Sequence, residues 1–229
     1  MENEKRIKVL ASDVGGVMAY FKTGYTSKTL RDFAKALEFH TGCPAEFWET
    51  FLTIEPGTLE HQFIAGNIKP KEFYWKMRKE ADKYLGIKDA PFPSFQLYRE
   101  MWCNIFLPNF ELLDELRHLS KVYKLVLASN IDIWHYRLLY RMCDWSKFVS
   151  PGGVVSCDDH LVKPDKAFFD LLIKRSGVLP SEIFFFDDTL ENIKVASGCG
   201  IIVHLFTDNQ TLFDAFEKNG IVRLIKAAE

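Results

Sequence analysis

The chain has 229 residues, of which 48% are hydrophobic and 26% charged, a composition typical of a globular protein rather than a disordered one. Its formal net charge of −2 provides no bulk attraction to nucleic acid or to an anionic membrane surface, so we expect neither as a partner. Five scattered cysteines without CxxC spacing argue against a disulfide framework or a zinc site. With no secretory h-region and no membrane-spanning apolar run, we expect a cytoplasmic protein with reduced thiols.

The first predicted element is a buried strand at residues 7–11, which is followed closely by Asp13 and two glycines. Glycine has no Cβ atom, so the backbone after Asp13 can turn sharply and approach a ligand. A carboxylate at the carboxyl end of a central strand lies where open α/β sheets bind ligands. Taken alone, the stretch is equally compatible with a strand and an ordinary turn.

Residues 20–105 have helical periodicity and no further strand pattern. Ser27 is a suitable N-cap for the first helix, and Pro70 stands where the first residue of a later helix belongs. Helices are predicted at residues 27–37, 45–53, 59–65, 70–84 and 95–105. Because a crossover between parallel strands needs only about a dozen residues, we interpret this stretch as an inserted helical cap.

Strand and helix patterns alternate from residue 109 onward. Apolar strands are predicted at residues 124–128, 154–156, 183–186 and 201–203, with helical segments between them. Such alternation is typical of a parallel sheet covered by helices on both faces. The predicted fold is therefore α/β, with a Rossmann-like parallel sheet core (residues 1–19 and 106–229) and an inserted α-helical cap (residues 20–105).

Polar residues with chemical potential follow these strands in a fixed order. They are Asp13, then Ser129 and Asn130, then Lys163 before a proline, then Asp187 and Asp188. This order resembles the four motifs of the haloacid dehalogenase-like hydrolase superfamily and spans residues 13–192. The first motif, which runs from Asp13 through two glycines to Val17, is similar to a branch that includes many small-molecule and sugar-phosphate phosphatases.

The resemblance implies a Mg²⁺-dependent phosphatase that acts on a small phosphorylated metabolite, with sugar phosphates among the candidates. The nucleophile would be Asp13, because a carboxylate can attack phosphorus and form an aspartyl-phosphate. Mg²⁺ would be held by Asp13, the backbone carbonyl of Gly15 and Asp188, with Asp187 beside the ion or linked to it through water.

Four residues are expected to contact the substrate. The resemblance implies that Gly16, Ser129 and Asn130 bind phosphate oxygens. It also implies that Lys163 neutralises both the phosphoryl group and Asp13. The alternative for Ser129 and Asn130 is an N-cap for the next helix, and the alternative for Lys163 is an exposed surface lysine. The sequence has no signal for an oligomeric state.

The chain departs from the superfamily pattern at Gly15, where most of its phosphatases have a second aspartate that exchanges protons with the leaving group and with water. Glycine cannot supply a proton, and such assistance is typically worth ~10²–10⁴-fold in rate. Glu60 and His61 of the cap are possible substitutes, although an exposed face of a cap helix is the expected place for both. His135 is likewise expected on a helix surface.

Two other functions stay open from the sequence alone. A catalytically silent protein could keep the phosphate pocket after losing the proton donor. A haloacid dehalogenase, in which Asp13 attacks carbon, needs no metal. The aspartates Asp187 and Asp188 would then repel Asp13 without compensation, which makes this function the less favoured one.

Overall fold

The computed structural model describes residues 7–22 and 26–222, with the side chains of residues 26–29 left outside the description. The strands are β1 (Val9–Ser12), β2 (Ala19–Phe21), β3 (Phe106–Pro108), β4 (Lys124–Ser129), β5 (Val154–Val155), β6 (Ile183–Asp187) and β7 (Ile202–Leu205). The helices are α1 (Thr26–Thr41), α2 (Ala45–Glu49), α3 (Leu59–Ile64), α4 (Pro70–Leu85), α5 (Phe95–Cys103), α6 (Phe110–Leu119), α7 (Ile133–Met142), α8 (Ser156–Asp159), α9 (Lys166–Ser176), α10 (Leu190–Gly198) and α11 (Asn209–Lys218).

Five parallel strands form the central sheet in the order β5-β4-β1-β6-β7, so β1 lies at its centre. Leu10 of β1 is opposite Leu125 on one side and Phe184 on the other. Successive side chains of β1 enter two different cores: Leu10 packs in one, and Val9 and Ala11 pack in the other. A sheet covered on both faces explains why its strands are continuous apolar runs. The predicted α/β fold with a parallel sheet is confirmed.

Five helices, α1 to α5, lie between β2 and β3, and these two short strands pair with each other in antiparallel orientation. The pair was not predicted, because three residues are too few to show a two-residue periodicity. The predicted boundary of the cap between residues 19 and 20 falls inside β2, and the one between residues 105 and 106 falls directly before β3. The division into a core and a cap at these positions remains our proposal.

The inserted helices share an aromatic core of their own. Its fully or almost fully buried members include Trp48, Phe63, Phe73, Tyr98 and Trp102. The rings of Phe63 and Phe73 stack with their centroids 4.4 Å apart. Trp134 from α7 belongs to the same core, so the inserted helices pack directly on the helix that follows β4.

Several predicted elements differ from the structure at their ends. The strand predicted at residues 154–156 ends at Val155, because Ser156 already begins α8. The helix predicted at residues 45–53 ends at Glu49. All five cysteines are free thiols. Across the described residues, the helices are too short or too polar to span a membrane.

Candidate active site

Lys163 lies where the carboxyl ends of β1, β4 and β6 meet, and its side chain is fully buried. Its Nζ is 2.5 Å from Asp187 Oδ2, 2.7 Å from the backbone oxygen of Ala128 and 3.1 Å from Asp13 Oδ1. Burial lowers the pKa of Lys163, but the charges of Asp13 and Asp187 outweigh it and raise the pKa above its ordinary value. The side chain is therefore a fixed ammonium group with all three donor directions in use.

Asp187, the last residue of β6, is fully buried and has both carboxylate oxygens engaged. The amide of Asn192 donates to both oxygens at 3.0 Å, and the backbone N–H of Thr189 donates to one at 2.8 Å. Together with Lys163, these donors satisfy the buried charge. The structure therefore gives Asp187 a role in holding Lys163 in place.

Asp13 follows β1 and is 7% exposed. Burial raises the pKa of its carboxyl to about 7; Lys163 opposes this shift, whereas the charges of Asp187 and Asp188 add to it. Apart from the ion pair with Lys163, Oδ1 has no hydrogen-bond partner. The group thus has an oxygen left to react or to bind a ligand.

The carboxylates of Asp13, Asp187 and Asp188 form one cluster, in which an oxygen of each lies within 4.8 Å of the others. Burial, and then the charge of Asp187, raises the pKa of Asp188, which shows how poorly one lysine compensates three acids. A divalent cation fits this cluster, because it would supply the missing positive charge to hard oxygen ligands.

Gly15 and Gly16 have different functions in the turn after Asp13. Gly16 has a φ of +78°, and a Cβ atom there would lie 2.1 Å from Asp188 Oδ2. The carboxylate of Asp188 therefore packs directly over the backbone of Gly16. At Gly15, a Cβ atom would be in ordinary contact with the rings of Phe21 and Phe106, at 3.7 Å.

Ser129 is the last residue of β4 and Asn130 follows it, but their side chains are bonded differently. The side chain of Asn130 accepts from the backbone N–H of Lys163 at 2.8 Å and donates to its carbonyl at 2.9 Å. Its amide therefore positions Lys163. Ser129 Oγ is buried and has no partner of normal hydrogen-bond geometry, although it lies close enough to lower the pKa of Asp13. The hydroxyl is therefore available to a ligand.

A cavity of about 150 Å³ lies between this edge of the sheet and the inserted helices. Its sheet side includes Asp13, Gly15, Asn130, Lys163 and Asp188. Its opposite side is mostly apolar and includes Phe21, Leu30, Ile54, Ile64, Trp102, Ile105 and Phe106. Of the two proposed substitutes for the proton donor, Glu60 lines the cavity, whereas His61 is not among its described lining residues.

Asp132 and His135, which also line the cavity, form a buried network that the sequence did not reveal. One carboxylate oxygen of Asp132 accepts from the backbone N–H groups of Trp134 and His135. The other accepts from the indole of Trp102 at 3.0 Å and is 2.5 Å from His135 Nδ1. His135 is 3% exposed, so the expected surface position is wrong. The one available signal was Asp132 as an N-cap.

The second nitrogen of His135 connects this network to the inserted helices. Nε2 is 2.8 Å from the backbone oxygen of Trp102, which can only accept, so this nitrogen carries a hydrogen. Since Nδ1 lies against a carboxylate oxygen, both ring nitrogens of His135 face acceptors. Burial would raise the pKa of Asp132, but the charge and hydrogen bonds of His135, with that of Trp102, lower it below its ordinary value.

The sequence of the chain matches the model of a known protein family. The chain belongs to the haloacid dehalogenase-like hydrolases, whose family model matches residues 7–200. A mouse protein, acyl-CoA dehydrogenase family member 10, is 44% identical over 48 residues, which is 21% of this chain. The match covers 4% of that protein, so the chain spans only a small part of this curated relative.

Several solved structures have a similar fold. A haloacid dehalogenase (HAD) family enzyme of Bacteroides thetaiotaomicron, in complex with magnesium and inorganic phosphate, has a TM-score of 0.71 and 22% identity. The match covers 90% of this chain and 99% of that one. A predicted HAD-like family hydrolase of Porphyromonas gingivalis has a TM-score of 0.71 and 21% identity, and the match covers 93% of this chain and 97% of that one. An L-2-haloacid dehalogenase of Xanthobacter autotrophicus has a TM-score of 0.56 and 17% identity, covering 94% and 84%. These similarities concern the fold.

The buried network gives a prediction about stability. Asp132→Asn keeps an N-cap but removes the buried carboxylate that accepts from the indole of Trp102 and lies against His135 Nδ1, so we expect the free energy of unfolding to fall by about 3 kcal/mol at neutral pH. Urea unfolding at several pH values is the measurement. The pKa of Asp132 is lower in the folded protein than in the unfolded chain, so its contribution is present above about pH 4 and is lost at lower pH.

The control for this prediction is Asp114→Asn, because Asp114 pairs with Arg117 on the surface of α6 and its side chain is 62% exposed. We expect this variant to unfold within about 0.5 kcal/mol of the wild type. Equal losses in the two variants, or a loss in Asp132→Asn that persists unchanged below pH 4, would contradict a stabilising role of the buried Asp132 carboxylate.

Proposed function

We propose that this hydrolase is a Mg²⁺-dependent phosphatase that hydrolyses the monoester of a small phosphorylated metabolite through an aspartyl-phosphate on Asp13. The observation that carries the proposal is the cluster of three carboxylates around one buried ammonium, beside the unpartnered hydroxyl of Ser129. The Bacteroides thetaiotaomicron enzyme of the same fold, with its magnesium and phosphate, supports this choice of metal and ligand.

The residues of the cluster suit Mg²⁺, which prefers oxygen ligands and retains several waters. Asp13, the carbonyl of Gly15 and Asp188 would hold the ion. Asp187 would remain beside it, because Lys163, Thr189 and Asn192 already occupy its oxygens. When bound, Mg²⁺ would offset the repulsion between a phosphate dianion and the carboxylate of Asp13.

Each of the other side chains has a separate role in the proposed reaction. The carboxylate of Asp13 attacks phosphorus, so one oxygen–phosphorus bond forms while the bond to the leaving oxygen breaks. Lys163 is already fixed next to Asp13 and stabilises the charge that develops on the phosphoryl oxygens. Ser129 donates a hydrogen bond to one of these oxygens, and Asn130 holds the backbone of Lys163 in position.

The cavity restricts the substrate in both size and charge. A volume of about 150 Å³ has room for a compact leaving group. Among the described lining residues, Lys163 is the only lysine or arginine, and Asp13 and Asp187 already engage it. We therefore infer a leaving group without a second anionic group. A 2-haloacid, whose carboxylate would need a cation, is a poor match for the same reason.

The first test of the proposal removes the nucleophile. Asp13→Asn should abolish Mg²⁺-dependent release of phosphate from para-nitrophenyl phosphate, while circular dichroism and the melting temperature show that the fold persists. Excess EDTA should abolish the wild-type activity and added Mg²⁺ should restore it. Undiminished turnover in the variant would contradict covalent catalysis, and undiminished turnover in EDTA would contradict the metal. A wild-type protein that binds phosphate but hydrolyses nothing would support a silent binding protein.

The second test concerns the contact between Gly16 and Asp188. In Gly16→Ala, the new methyl group would displace the carboxylate of Asp188, so we expect the affinity for Mg²⁺ to fall by about tenfold or more. Isothermal titration calorimetry measures this directly. Gly42→Ala is the matched control, since Gly42 has a similar φ of +76° and no atom near the added Cβ. It should lose only ~1–2 kcal/mol of stability; equal Mg²⁺ affinities in the two variants would refute the role of Gly16.

A further inference from the structure

Glu60 is a buried acid on the side of the cavity that faces the sheet edge. It belongs to α3 and is 5% exposed, and its Oε2 has no hydrogen-bond partner. It lines the same cavity as Asp13 and Lys163. An ionised carboxylate without a partner is too costly to keep in such a position, so the group is expected to be a neutral carboxylic acid.

The groups around Glu60 reinforce this state. Burial, and then the charge of Asp132, raises the pKa of Glu60 to about 8. Burial, and then the charge of Glu60, raises the pKa of the phenol of Tyr98 in α5. Across the cavity the charged groups are Asp13, Asp188 and Lys163, and the last is already paired with acids. At neutral pH Glu60 is therefore an acid with a proton to give.

The helix that carries Glu60 is held firmly on the core. Ser156 Oγ donates to the backbone oxygen of Ile64 at 2.8 Å, and the ring of His160 bonds to the backbone oxygen of Ala65 at 2.9 Å. Gly66 follows with a φ of +68°, and a Cβ atom there would be 2.2 Å from the carbonyl oxygen of Cys157. These contacts fix the position of α3 relative to the sheet edge.

The other titratable groups on this part of the cavity wall are already engaged. Asp132 accepts four hydrogen bonds, and both ring nitrogens of His135 face acceptors. Gly15 has no side chain to offer. Among the described residues that line the cavity away from the Asp13 cluster, Glu60 is thus the acid that has an oxygen without a partner.

We infer that Glu60 is the general acid and base of this phosphatase, a carboxyl group supplied by the inserted helices in place of the one missing at Gly15. The inference rests on the proposed function. When Asp13 attacks phosphorus and the bond to the leaving oxygen breaks, Glu60 transfers its proton to that oxygen and becomes a carboxylate. The products of this half-reaction are an alcohol and the aspartyl-phosphate.

The second half-reaction returns both carboxyl groups to their starting states. The carboxylate of Glu60 takes a proton from water as the water oxygen attacks phosphorus, and the bond between phosphorus and Asp13 breaks. Inorganic phosphate is released, Asp13 is again a carboxylate and Glu60 is again protonated. No oxidant, reductant or further co-reactant is required.

The test is Glu60→Gln, which keeps the shape of the side chain and removes the transferable proton. We expect kcat/KM to fall by ~10²–10⁴-fold for alkyl phosphates, which have poor leaving groups, and to stay near wild type for para-nitrophenyl phosphate. The control is Glu72→Gln, because Glu72 is exposed on α4 and pairs with Lys76. It should match the wild type with every ester.

A second variant tests whether a carboxyl group at position 15 can supply the proton in place of Glu60. The backbone at Gly15 is not left-handed, and a Cβ atom there would meet only ordinary ring contacts. Gly15→Asp in the Glu60→Gln background should therefore recover part of the lost activity, and mainly for alkyl phosphates. A role of Glu60 in packing alone would give neither this recovery nor a dependence on the leaving group.

A direct measurement of protonation needs no substrate. Infrared difference spectroscopy of the protein should show a neutral carboxylic acid at pH 7 that disappears in Glu60→Gln. The inference is overturned if that band is unchanged in the variant, or if the kcat/KM of the variant falls by the same factor for every ester or does not fall for any of them. The proposed function fails separately, when the wild type releases no phosphate or Asp13→Asn stays active.

Discussion

The candidate site depends on one buried ammonium group held between two acids. A lysine this deep in a protein is stable only if its charge is compensated, and Asp187, Asp13 and the carbonyl of Ala128 provide the compensation. These partners come from the carboxyl ends of β6, β1 and β4, which are neighbours in the parallel sheet. The fold therefore brings them together, and Asn130 fixes the loop that delivers Lys163 to them.

The positive charge of Lys163 does not fully compensate the negative charge of the three carboxylates at this site. Three carboxylates share one ammonium, and the pKa values of Asp13 and Asp188 are both raised. In a free protein this excess negative charge destabilises the fold and weakens Asp13 as a nucleophile, because a protonated carboxyl cannot attack. A bound divalent cation would reverse both effects, and the glycine at position 16 lets Asp188 approach closely enough to take part. Metal binding and activation of the nucleophile are thus one event in the proposed function.

The sequence predicted the sheet side of the site better than the helical side. Apolar strands that end in polar residues placed Asp13, Ser129 and Asp187 at one edge, because the ends of parallel strands must meet there. The loop of Lys163 has no periodicity, so only the order of the motifs located it. Tertiary contacts determine three features that the sequence did not predict: the pairing of β2 with β3, the burial of Glu60 on a helix of six residues and the burial of His135. No local pattern encodes such contacts, and short elements show too little periodicity to reveal them.

The two sides of the cavity have opposite environments, and this difference matters for proton transfer. At the sheet edge, three carboxylates already share the positive charge of Lys163, and a further carboxyl placed there would compete for Lys163 and for the metal. On the helical side, burial and the charge of Asp132 keep Glu60 neutral without any such competition. Moving the acid from position 15 to α3 would also make proton transfer depend on the contacts of Ser156 and His160 with the end of that helix. Loss of these contacts would remove the proton donor while leaving the nucleophile and its lysine intact, so seating of the inserted helices would control the rate for poor leaving groups more than for good ones.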